Sequence, residues 1–93
     1  MNDTEQQFWD LVETLINDAN DRSATQDAAL VSDAMLYAAA RFGAYVAAAS
    51  STERKAFKDE LGDIKALLME QFETMLDANL ADYLENYKTY LSR

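Results

Sequence analysis

Histidine, cysteine and proline are absent from these 93 residues, and glycine occurs only at Gly43 and Gly62. Each absence closes a class of chemistry. Without Cys there is no disulfide, thiolate metal site or thiol nucleophile; without His there is no Ser-His-Asp triad and no imidazole ligand. The lack of Pro removes the strongest helix breaker. Basic residues are few, 8 against 17 acidic, for a formal net charge of −9. Nucleic acid is bound through clustered Lys and Arg, so it is not an expected partner. The same field opposes docking on an anionic membrane. Long apolar runs are also missing: the richest stretch, residues 34–49, is interrupted by Arg41, and at about 1.5 Å per residue it is shorter than the ~30 Å hydrocarbon layer. The opening MNDTEQQ has neither the basic nor the apolar region of a signal peptide. A soluble, cytoplasmic, non-enzymatic protein without metal or cofactor is the expectation.

Hydrophobic residues make up 49% of the chain, too many for disorder despite the charge. Ala fills 16 positions and Leu 11, whereas Val and Ile together supply five. Ala and Leu are strong helix formers. The composition therefore predicts an all-α protein, a small bundle of about four helices, in one domain spanning residues 1–93.

Apolar spacing divides the chain into predicted helices at about 4–19, 27–49, 52–76 and 79–91. In the first, Phe8, Leu11, Val12, Leu15, Ile16 and Ala19 form the stripe, with Trp9 on its flank, and Thr4 with Gln7 fits a capping box. Residues 20–27 are polar and read as a loop. The second helix shows Val31, Ala34, Met35, Ala38, Phe42, Tyr45, Val46 and Ala49 on one face. Its back carries Ala29, Leu36, Ala40, Gly43 and Ala47, with Asp33 as the only charge. A surface helix ordinarily carries several charges there, so this helix is expected to be central or to have a second partner. The third helix opens at a second capping-box pattern, Ser50 with Glu53, and its stripe is Phe57, Leu61, Ile64, Leu68, Phe72 and Met75. Beyond Met75 the stripe shifts by about one residue's rotation, to Leu76, Leu80, Tyr83, Leu84, Tyr87 and Leu91. A break near Asp77-Ala78-Asn79 would let the two stripes face separate partners, since Asp and Asn cap helix starts.

Chemistry-bearing patterns are few. Asp18-Ala-Asn20-Asp-Arg22 begins like a calcium loop, but Ser23 stands where Gly is needed and Ala29 where a bidentate Glu is needed, so a capped turn is the better reading. Glu70, Glu73 and Asp77 share a helix face that could hold a hard cation; di-iron helices pair Glu with His, which is missing, so a solvated acidic face is favoured. Arg41 is the sole cation between Arg22 and Arg54. It either pairs with an acid of the first or fourth helix or binds a carboxylate or phosphate of a ligand. Tyr83, Tyr87 and Tyr90 project from a similar side of the last helix and suit either a core or an interface.

The run L-Y-A-A-A-R-F-G-A-Y-V-A-A from Leu36 and the run M-L-D-A-N-L-A-D-Y-L-E-N-Y from Met75 resemble a family of small, acidic bacterial proteins of unknown function. The likeness covers nearly the whole chain, and Gly43 stands where Asn is common. It implies a bacterial, cytoplasmic, helical protein and transfers no activity, cofactor or site.

The leading functional expectation is a protein–protein interaction module that forms a homodimer, with an unknown protein as a further partner. Its surface would be the back of the second helix (Leu36, Ala40, Arg41, Gly43, Ala47) with Tyr83, Tyr87 and Tyr90. The first and third helices would cover the Val31–Phe42–Tyr45 face. Alternatives are a small-ligand or metal-binding protein using Arg41 or the acidic face of the third helix, and an acidic regulator of a basic partner.

Overall fold

A computed structural model describes residues 2–92. The protein is all-α: 88% of the described residues are helical, and no strand occurs among them. In chain order the helices are α1 (Asp3–Ser23), α2 (Ala28–Ala49), α3 (Arg54–Glu85) and α4 (Tyr87–Leu91). Two compact units divide the chain, Met1–Phe42 and Gly43–Arg93, and the boundary falls inside α2.

The α1 cap is Asn2, not Thr4. Its backbone is extended, and its side-chain oxygen accepts the Glu5 N–H at 2.7 Å, satisfying one of the donors a helix start leaves open. Thr4 lies within the first turn. Nor does α1 stop at Ala19. It runs on to Ser23, because Asp18 and Arg22 pair across one turn at 3.0 Å and the Ser23 hydroxyl bonds back to the Ala19 carbonyl. The predicted loop 20–27 therefore shrinks to residues 24–27. Asp27 closes it: its Oδ1 accepts the Ala29 N–H and starts α2.

The Ser50–Glu53 capping box is also corrected. The Ser50 hydroxyl donates to the Val46 carbonyl and that of Ser51 to the Ala48 carbonyl, so both serines finish α2. Glu53 precedes α3 in an extended conformation without a side-chain cap.

The expected break at residues 77–79 is absent, and α3 continues for 32 residues. Asn79 stays helical by donating its amide to the Met75 carbonyl at 2.7 Å, so the side chain that was expected to end the helix reinforces it. With no Gly or Pro nearby, propensity carries the helix on. The break falls at Asn86, whose backbone leaves the helical region (φ −108°, ψ 24°). Its amide donates to both the backbone and the side-chain oxygen of Asp82. The predicted 79–91 helix is thus the end of α3 plus the five residues of α4, closed by Ser92 in the left-handed region.

In the first unit Val31 is buried, the one buried hydrophobic residue among those described, while Val12, Ala19 and Ser23 are half-buried. In the second unit Gly43, Ala47, Ala56, Phe57 and Ile64 are half-buried. A Cβ added to Gly43 would lie 3.8 Å from Leu68 Cδ1, so this end of α2 sits against α3.

Candidate functional site

The residues singled out by sequence fall into three environments. Leu36, Ala40 and Arg41 are exposed on α2. Gly43 and Ala47 are half-buried, Gly43 beside Leu68, so part of the face expected to meet a second chain meets α3 of its own. Phe42 and Tyr45, expected beneath α1 and α3, are instead 66% and 63% exposed. Only Val31, of the three residues named for that face, is covered.

No carboxylate among the described residues pairs with Arg41. Its neighbours one turn away on the helix, Tyr37, Ala38, Ala44 and Tyr45, carry no counter-charge.

Tyr83 and Tyr90 come together, with ring centroids 4.8 Å apart and planes inclined at 58°. The Tyr90 hydroxyl donates to the Asp82 carboxylate, at 3.0 and 3.2 Å from its two oxygens. Asp82 also receives the Asn86 amide at 2.9 Å. One carboxylate thus fastens α4 back onto the end of α3. That hydrogen bond, then the loss of water around the phenol, then the Asp82 charge raise the Tyr90 hydroxyl above its ordinary value. Sequence reading missed this lock, although the signal was present: Asp, Asn and Tyr spaced i, i+4, i+8. Tyr87 stands apart from it and is half-exposed.

The calcium-loop residues Asp18–Ser23 lie within α1, and the Asp18 carboxylate is engaged by Arg22. Among the described residues no group of three or more acids is placed to hold a metal ion, Glu70, Glu73 and Asp77 included. A shallow open depression on α1 is lined by Gln7, Asp10, Leu11 and Thr14. Two of its lining residues are engaged locally, the Asp10 side chain accepting from Gln6 and the Thr14 hydroxyl donating to the Asp10 carbonyl. No described helix is long and apolar enough to cross a membrane.

What the structure does present is apolar surface. Along α3, Leu61, Leu67, Leu68, Met69, Phe72, Met75, Leu76, Leu80, Tyr83 and Leu84 are all exposed. On α1 the same holds for Phe8, Trp9, Leu11, Leu15 and Ile16, the first two stacked edge to face at 4.9 Å. Soluble monomers rarely leave so many large side chains open in continuous stripes.

Residues 8–84 match the family described as a protein of unknown function, DUF3144. No curated protein and no solved structure matches the chain. The match covers most of the sequence, and the chain belongs to that family of unknown function.

Proposed function

We propose that this member of the family is a non-enzymatic protein–protein interaction module that associates with itself. The observation that carries the reading is the exposure of the apolar stripes: Val31 alone is buried among the described hydrophobic residues, while large side chains along α1, α2 and α3 stay open. Apolar surface left in water costs about 25 cal/mol per Å². Stripes of Leu, Met, Phe and Tyr at helical spacing are what a partner helix covers.

Sedimentation equilibrium or light scattering tests this. The expected result is a mass of two chains at concentrations on the order of tens of micromolar. Association should strengthen as salt is added, because each copy carries −9 and screening weakens the repulsion. A one-chain mass at moderate salt overturns the reading.

One observation favours a second reading. Arg41 is exposed without a carboxylate partner among the described residues, which leaves its guanidinium fork open to a carboxylate or phosphate of a small ligand. Thermal melts with a panel of nucleotides and divalent cations separate the two. A ligand at 100 times its dissociation constant adds about 2.7 kcal/mol, several degrees in a domain of this size. Unmoved midpoints across the panel would end the ligand reading.

A further inference from the structure

Because α3 runs unbroken from Arg54 to Glu85, its two stripes belong to one rigid surface. Positions 57, 61, 64, 68, 72, 76, 79 and 83 then lie within an arc of about 120° on one helix, along roughly 39 Å. Their order is a palindrome about residue 70. Phe57 mirrors Tyr83, Leu61 mirrors Asn79, Ile64 mirrors Leu76 and Leu68 mirrors Phe72. Seven of these eight are apolar, and the exception, Asn79, has its amide occupied by the Met75 carbonyl; Arg54, Lys58, Lys65, Met75 and Asp82 share the arc.

The charges of α3 are segregated about the same centre. Residues 54–65 hold Arg54, Lys55, Lys58 and Lys65 against Asp59, Glu60 and Asp63, a net of +1 and half of the chain's basic residues. Residues 66–85 hold Glu70, Glu73, Asp77, Asp82 and Glu85 and no cation, a net of −5.

From these features we infer that the occupant of the α3 stripe is α3 of a second copy, running antiparallel about a two-fold axis at residue 70. The inference rests on the self-association proposed above and adds its surface, direction and register. An isologous contact places the same patch on both chains, and a palindromic stripe is self-complementary only when the two helices run in opposite directions. Layers then form between Phe57 and Tyr83, Leu61 and Asn79, Ile64 and Leu76, and Leu68 and Phe72 of the opposing copies. Antiparallel pairing sets each strongly acidic half beside the other copy's half of net +1. Parallel pairing would oppose −5 to −5. The helix dipoles also oppose favourably when antiparallel.

Within its own unit α2 reaches this helix at Gly43, beside Leu68, and Ala56, Phe57 and Ile64 are half-buried. Leu68 keeps 40% exposure beside Gly43, and the flank bearing Lys58 and Lys65 is open. The size also suits a dimer. Leu61, Leu68, Phe72, Met75, Leu76 and Tyr83, the open apolar side chains within the arc, together offer roughly 600 Å² per copy, the lower end of a specific interface.

The chain has no cysteine, so a disulfide reports the register directly. Leu61→Cys and Asn79→Cys lie roughly 27 Å apart along one helix and cannot bridge within it. Under mild oxidation the double variant should run as a covalent dimer on a non-reducing gel, and each single variant as one chain. Dimers from either single variant would indicate parallel pairing and overturn the inference. A two-chain mass by sedimentation without cross-linking of the double variant would also overturn it, while leaving self-association standing. A one-chain mass of the unmodified protein would remove both. A second measurement covers the case in which the cysteine variant folds poorly: Leu76→Asp, within the arc, should weaken the dimer several-fold, whereas Ala66→Asp, which adds the same charge on the opposite face, should not. Equal effects of the two variants would overturn the α3 stripe as the contact.

Discussion

From Arg54 to Lys65, α3 carries charges of both signs, and Ala56, Phe57 and Ile64 are half-buried. From Glu70 to Glu85 the same helix carries only acids, and every residue is exposed. The first half has residues half-buried; the second half has a helix and an apolar stripe that only α4 touches, at Asp82 and Tyr83. Helices in water draw most of their stability from tertiary packing of one face, not from propensity. The open half therefore depends most on a second copy for its packing, and the half it would meet there is the partly buried one.

The comparison breaks most sharply at Phe72, in the open half. Phe72→Asp should raise the dimer dissociation constant by at least ~30-fold, about 2 kcal/mol, while circular dichroism shows the helices largely kept. Phe57→Ala, at a half-buried position, should weaken the dimer less and also lower the stability of the chain itself by about 1–3 kcal/mol, less than for a fully buried Phe. If Phe72→Asp unfolded the chain and left association untouched, the two halves would have exchanged roles.

The two glycines sharpen the contrast at about 1 kcal/mol. A Cβ at Gly62 meets nothing within 4 Å, so Gly62→Ala should add about 1 kcal/mol of helix stability. At Gly43 the new methyl would rest on Leu68 at an ordinary contact distance, so Gly43→Ala should also be tolerated. A large side chain there would press α2 away from Leu68, and Gly43→Leu should cost stability where Gly62→Leu does not. Urea melts of the four variants read this out. A smaller effect is expected at Arg41, exposed and without a carboxylate partner among the described residues: Arg41→Ala should change the midpoint by no more than about 0.5 kcal/mol. A loss of several times that would show that a counter-charge is met when the protein is in solution.

The helices were legible because period-3.6 stripes of Leu, Phe and Met need no tertiary knowledge to be seen. Their ends were not. Asn2, Asp27, Ser50 and Asn79 are all residues that can bond their own backbone in more than one way, and the sequence does not say which. Ser50 can cap the next helix or close the last one, and it closes the last. Asn79 can end a helix or bond back one turn, and it bonds back. That single choice turns two stripes with separate partners into one continuous palindrome. Gly43 shows the same limit for the interaction surface: a small residue permits close approach, but only the structure shows that α3 of its own chain approaches.

The finest distinction lies at the end of the open half, where Asp82 holds Tyr90 and so fixes α4 on α3. The phenol keeps its proton more tightly there, chiefly because the protonated hydroxyl donates to the Asp82 carboxylate. A proton bound more tightly in the docked than in the undocked state stabilises docking at every pH below the free phenol's value, near 10. That contribution then fades as pH climbs through the raised value, when a phenolate would face the carboxylate. Ultraviolet titration should therefore show Tyr90 ionising later than a free tyrosine, with the Tyr90→Phe variant identifying its share of the signal. Asp82→Ala removes the acceptor and should return the phenol toward its ordinary value, with α4 fraying at neutral pH in amide hydrogen exchange. Should Tyr90 titrate like a free tyrosine in the intact protein, Asp82 would not be what holds α4 in place.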